Sequence, residues 1–138
     1  MNYDTERALV APFYEALNQP VTKDMAGLVR DATSTNWRSF SGETMSKGQE
    51  EFIQQVVGFG KLIPDLAWTI KDILTDGDTI VVRSEASGTP VGDFFGMPPS
   101  GRSFRIMTID LHTVKEGKLA LVHHIEDWAT AIRQLASK

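Results

Sequence analysis

The chain has 138 residues, with 18 acidic against 14 basic side chains and a formal net charge of −4, which suits one soluble domain over 1–138 with a core of ordinary size. That balance, without a run of Lys and Arg interleaved with aromatics, argues against nucleic acid as a partner. Cysteine is absent, no stretch reaches membrane-spanning length and Met1 to Glu6 has no secretory pattern, so disulfides and thiolate chemistry are excluded and a cytoplasmic setting is expected.

Leu9, Val10, Phe13, Tyr14 and Leu17 recur at helical spacing between Asp4-Thr5, which can cap, and Asn18-Gln19-Pro20, which stops; they predict a first helix. A short second helix is expected over Asp24 to Val29, then an irregular stretch from Asp31 to Thr44. Ser46 and Gln49 have the spacing of a capping box, and Phe52, Ile53, Val56, Val57 and Gly60 continue one stripe, so a third helix is expected from Lys47 to Lys61. Beyond it the pattern is extended. Leu66 to Leu74, Thr79 to Gly88, Ser103 to Val114 and Leu119 to Asp127 read as strands, with turns at Asp76-Gly77 and Glu116-Gly117.

Between the second and third of these strands, Gly88 to Gly101 is rich in Gly and Pro yet carries Val91, Phe94, Phe95 and Met97, which must cover the end of the core or a ligand. Ala129 to Leu135 forms a last helix. Helices first and antiparallel strands afterwards imply an α+β domain whose curved sheet wraps around the N-terminal helices and leaves a cone with an open mouth.

The segment Val122-His123-His124-Ile125-Glu126-Asp127-Trp128 concentrates two of the three histidines and two carboxylates, a pairing suited to acid-base work without a metal or nucleophile. Two registers of the last hairpin compete. A two-residue turn at Glu116-Gly117 puts His112 and Asp110 on one face with His123 and Asp127. A three-residue loop, Lys115 to Gly117, separates an apolar face of Met107, Ile109, Leu111, Leu119, Leu121 and Ile125 from a polar one of Thr108, Asp110, His112, Lys118, His124 and Glu126.

The clean segregation favours the second register. It predicts that His123 and Asp127 point inward, with Arg105 and Thr113 at the edges of the same face, and that His112, His124 and Glu126 point away toward a subunit contact. A metal site of His112, His124 and Asp127 is disfavoured, because those residues then lie on opposite faces. Tyr14, Trp37, Phe94, Phe95 and Met97 could line a cavity for a flat apolar ligand, with Met107 on the same inward face and Arg105 able to meet a substrate carboxylate. The competing reading of Asp127 is a cap on the last helix, and that of His123 a satisfied core residue.

Phe13-Tyr14-Glu15-Ala16-Leu17-Asn18, the run Gly92 to Arg102 with its Pro98-Pro99, and Ile109 to His112 through Glu116-Gly117-Lys118-Leu119 into His124-Ile125-Glu126-Asp127-Trp128 carry a likeness. On these residues the chain resembles the SnoaL-like polyketide cyclase family of the nuclear transport factor 2-like superfamily. The resemblance implies a homodimer that uses no cofactor, with a ligand cavity between sheet and helices. It implies intramolecular aldol closure with an aspartate on the last strand as acid-base catalyst, a position matched by Asp127. It also places Tyr14 on the cavity, Trp37 on an aromatic wall and an assisting residue near Thr113, with His112 beside it.

The expected function is therefore acid-base cyclisation, isomerisation or dehydration of a small apolar, possibly polycyclic substrate by Asp127 and His123, with no metal. Water activation by the same aspartate, as in an epoxide or ester hydrolase, and a non-catalytic ligand-binding module are the alternatives.

Overall fold

The computed structural model describes residues 3–136. In chain order its elements are α1 (Tyr3–Ala16), α2 (Met25–Ala32), β1 (Thr33–Phe40), β2 (Ser46–Gly48), α3 (Gln49–Leu62), β3 (Ala67–Asp76), β4 (Thr79–Gly88), β5 (Phe104–Lys115), β6 (Lys118–Glu126) and α4 (Trp128–Ala136). The six strands form one curved, unclosed sheet in the order β2-β1-β6-β5-β4-β3. All neighbours are antiparallel except β1 and β6.

The helical stripes fold as their spacing predicts. Val10, Phe13 and Tyr14 of α1 and Ile53 and Val56 of α3 pack with Trp37, Ile80, Val82 and Val122 from the sheet. Each such side chain contributes about 1.5–3 kcal/mol of transfer free energy when fully buried. Asp24 caps α2 by accepting from the Gly27 amide at 3.1 Å. A second cluster, built on Ile63, Leu66, Phe94, Phe104, Ile106 and Leu135, seats α4 and the excursion between β4 and β5 on the sheet.

Three local expectations are corrected. The stretch from Asp31 to Thr44 contains a strand, β1, whose buried positions Thr33, Trp37 and Ser39 give it only a sparse apolar signal. Its parallel partner β6 lies far along the chain, so no hairpin turn announces the pairing. The capping box does not form, because Ser46 Oγ accepts from Arg38 and the Gln49 amide donates to Thr33 Oγ1 at 2.8 Å and to Ser34 O at 2.9 Å. The β3–β4 turn also lies one residue later than expected, since Asp76 pairs with Thr79.

The last hairpin combines both registers considered for it. Glu116 (φ 52°) and Gly117 (φ 76°) form a two-residue turn, with Lys115 paired to Lys118. A bulge then intervenes: Val114 pairs with Leu119 but Thr113 with Leu121, which leaves Ala120 unmatched. Beyond it Asp110 faces His124 and Ile109 faces Ile125. On β5, and on β6 beyond the bulge, the polar and apolar residues segregate as expected but with the direction reversed; before the bulge Leu119 is buried and Lys118 exposed. Thr108, Asp110 and His112 are buried, whereas Met107, Leu111 and Ile125 are 52%, 42% and 69% exposed.

Candidate functional site

Because side chains alternate along a strand, Asp110 and His112 on β5 and Val122, His124 and Glu126 on β6 share the concave face that meets α1 and α3. All but His112 border a cavity of about 90 Å³. Its walls include Phe13, Phe52, Phe59, Leu66, Trp68 and Trp128, and Asp110, His124, Glu126 and Ser39 supply polar groups.

Asp110 is 4% exposed. The Tyr14 hydroxyl donates to its Oδ2 at 2.5 Å and also lies 2.8 Å from His112 Nε2. Burial raises the Asp110 carboxyl from 3.8 to about 7; the Tyr14 hydrogen bond opposes that rise, the Glu126 charge adds to it and His124 pulls it down. Burial, reinforced by Asp110, pushes the Tyr14 phenol well above its usual value. His112 is fully buried, and burial with the neighbouring His124 charge lowers it to about 3. Both Tyr14 and His112 are therefore neutral near pH 7.

His124 Nδ1 lies 2.6 Å from Glu126 Oε2. Burial works against charge on His124, but the Glu126 hydrogen bond and charge, together with Asp110, outweigh it and raise its proton affinity. A histidine of raised proton affinity, bonded to Glu126, thus stands beside a carboxyl that titrates near neutrality. The Nδ1 contact leaves Nε2 available to a ligand. Asp110, His124 and Glu126 also present one ligand atom each, all within 4.8 Å, so they are the residues that could hold a cation. A cation there would compete with Tyr14 for Asp110 and with the His124–Glu126 hydrogen bond.

The residues expected in the site are dispersed. His123 is exposed on the opposite face and stacks on Phe40 with centroids 5.0 Å apart. Asp127 lies outside the cavity at the start of α4, where Oδ1 accepts from the Thr130 amide at 3.1 Å and Oδ2 from the Thr130 hydroxyl at 2.6 Å. These bonds lower its proton affinity. The reversed facing of the hairpin is the physical reason for both corrections.

Arg105 and Met107 are exposed outside the cavity, Arg105 pairing with Glu85 at 2.6 Å; Thr113 is half-buried. Trp37 is fully buried against Phe13 and Phe52, behind the cavity wall. Tyr14 meets the site through Asp110. Phe95 is exposed at the tip of a tight turn closed by Phe94 and Met97, and its ring lies 5.9 Å from Trp128. Met97 is half-buried beside Pro90 and Pro98.

Asp110, His124 and Glu126 were on the polar face of the hairpin but assigned outward. The signal that could have found them is the concentration of ionisable groups, Asp110, His112, His124 and Glu126, on that one face.

A curved sheet wrapped on helices, with an acid-base cluster in an aromatic-walled cavity, defines a nuclear transport factor 2-like α+β cone. Residues 8–135 match the family model of the SnoaL-like polyketide cyclases, and the chain belongs to that family. No curated protein matches it. Among solved structures it is similar to TsrD from Streptomyces laurentii, at 25% identity and a TM-score of 0.84, covering 100% of this chain and 99% of that one. IdmH from Streptomyces antibioticus, described as a candidate polyketide cyclase, superposes at 24% identity and 0.81 over 94% and 97% of the two chains. AclR from Streptomyces galilaeus, described as a candidate hydroxylase, does so at 20% and 0.81 over 99% of each.

Proposed function

We propose that the protein is a cofactor-independent enzyme of carbon acid-base chemistry, cyclising or isomerising a small, flat carbonyl compound. The observation that carries this reading is the convergence of Asp110, His124 and Glu126 within 4.8 Å beside an aromatic-walled cavity. Asp110, poised near neutrality, removes a proton from a carbon flanked by two carbonyls. The His124 imidazolium, held by Glu126, donates a hydrogen bond to the enolate oxygen that forms.

In an aldol closure the enolate carbon bonds to a second carbonyl carbon, and the resulting alkoxide takes a proton from His124. Transfer of the proton from Asp110 to His124, its cross-strand neighbour, restores both groups. The cavity of about 90 Å³ is smaller than the roughly 150 Å³ in which an engineered apolar cavity takes up benzene. A polycyclic substrate must therefore extend through the mouth or displace part of the wall.

The test is exchange of α-protons for deuterium in flat aryl 1,3-diketones, followed by proton NMR. Wild-type protein should accelerate exchange and Asp110→Asn should not. Exchange that survives in Asp110→Asn overturns the assignment, and oxygen-18 incorporation from water without carbon exchange would instead identify a hydrolase.

A second copy of the chain is the proposed partner. The face that would meet it is the one bearing Met107, Leu111 and Ile125, in place of the His112, His124 and Glu126 expected there, which are turned into the cone. Among the described residues no helix is long and apolar enough to cross a membrane, and a chain without cysteine suits a cytoplasmic setting.

A further inference from the structure

We propose that His112 is a positioning residue: it fixes a one-way hydrogen-bond chain, His112 Nε2–H to Tyr14 Oη and Tyr14 O–H to Asp110 Oδ2, and so reserves Asp110 Oδ1 for the substrate proton. This rests on the reading of Asp110 as the base and adds what sets its orientation. A phenol has one proton to give, and Tyr14 has two partners at hydrogen-bond distance, Asp110 at 2.5 Å and His112 at 2.8 Å.

Which way the chain points depends on the far nitrogen of His112. Nδ1 is buried and has no hydrogen-bond partner among the described residues. Around the ring are Phe13, whose centroid lies 5.2 Å away, and the cross-strand neighbours Ile80 and Val122. Placing the proton on Nδ1 would bury an N–H donor with nothing to receive it, which is strongly disfavoured. The Nε2–H tautomer leaves only an unpaired lone pair there and uses its proton on Tyr14. Tyr14 must then turn its own proton to Asp110. With Oδ2 occupied as an acceptor, the oxygen of Asp110 that binds the incoming proton is Oδ1.

His112 does not border the cavity, so its influence reaches the chemistry only through Tyr14. The titratable groups facing the chain are Glu126 and His124 on β6 together with Asp110 itself.

Nitrogen-15 NMR of the histidine rings in the intact protein tests the proposal without any substrate. The expected spectrum shows His112 protonated on Nε2 and bare on Nδ1 at pH values on both sides of the Asp110 midpoint. An Nδ1–H or imidazolium signal for His112 overturns it. His112→Gln, whose amide can donate from about the place of Nε2, should leave the carbon-13 titration midpoint of Asp110 near the wild-type value. In the reverse orientation Tyr14 would donate to His112 and leave Asp110 Oδ2 without its donor, so His112→Leu, which removes that competing acceptor, would lower the midpoint; in the proposed orientation Tyr14 already donates to Asp110 and the midpoint should stay within about half a unit of wild type. A fall of about one unit or more would also overturn the proposal. If His112→Leu fails to fold, the wild-type tautomer decides alone. Loss of deuterium exchange in Asp110→Asn is read separately, so failure of the relay and failure of the base assignment are distinguishable.

Discussion

Asp110 on β5 and His124 on β6 are cross-strand partners on the concave face of the sheet, and the surroundings raise the proton affinity of both. Asp110 must lose its proton to act as a base, whereas His124 must keep its own to act as a donor. The rate of carbon deprotonation should therefore rise with pH through about 7, where Asp110 ionises, and fall again as His124 becomes neutral at higher pH. Glu126→Gln removes the partner that raises His124 and should move the alkaline limb to lower pH. Initial rates of deuterium exchange across a buffer series give both limbs. A profile that is flat through neutrality would contradict the assignment.

The same carboxyl should make the fold less stable as pH rises. In the unfolded chain Asp110 ionises at its ordinary value of 3.8, while the fold retains its proton up to about 7. The folded state binds the extra proton between those values, so this contribution is fully present below the unfolded value and is lost as pH rises through the folded one. Asp110→Asn cannot ionise and should be more stable than wild type by roughly 1–3 kcal/mol at about pH 8, with little difference at about pH 4. Urea denaturation at the two pH values measures the difference. Equal gains at both would point to packing rather than charge.

The helical stripes, as in Val10, Phe13 and Tyr14 or Ile53 and Val56, and the four hairpin strands β3 to β6 were legible because their apolar periods are local. β1 was not, since a parallel partner far along the chain leaves no turn signal between Phe40 and His123. The hairpin faces were separable from the alternation of Met107, Ile109 and Leu111 against Thr108, Asp110 and His112. Which face turned inward was not, because the rule that apolar residues bury is broken on both sides at once. The inner face holds the ionisable groups of the site, and the outer one an exposed apolar patch.

Phe95 occupies a positive-φ position (φ 50°) in a two-residue turn with Gly96 (φ 78°), a conformation suited to Asn or Gly. Its ring is 56% exposed and rests near Trp128, part of the cavity wall. Asparagine at this position should relieve the backbone and offset the lost ring contact, leaving stability within about 0.5 kcal/mol or raising it. Affinity for flat aromatic ketones should fall if the ring covers ligand emerging from the mouth. Thermal melting and fluorescence titration of the Phe95→Asn variant report the two effects. Unchanged affinity would confine Phe95 to a surface role.

Met107 and Leu111 on β5 and Ile125 on β6 leave large apolar side chains on one outer face. If a second copy covers that face, wild-type protein should scatter light as a dimer of the 15.3 kDa chain. Ile125→Asp would place a charge in the contact and should shift the population to monomer, with α-proton exchange retained at the inward-facing site. A monomeric wild type at micromolar concentration would remove the assignment.

Asp127 offers the sharpest contrast between the motif and its geometry. Its carboxylate satisfies the Thr130 amide and hydroxyl at the first turn of α4, and that helix buries Ala131 and Leu135 against the second core cluster. Removing a carboxylate cap of this kind costs about 0.5–2 kcal/mol. Asp127→Ala should therefore lower the melting temperature while leaving most of the exchange activity. Asparagine caps helices about as well as aspartate, so Asp127→Asn should be nearly neutral for both stability and activity. An Asp127→Asn protein that melts normally but no longer exchanges α-protons would return the catalytic role to Asp127 and remove it from Asp110.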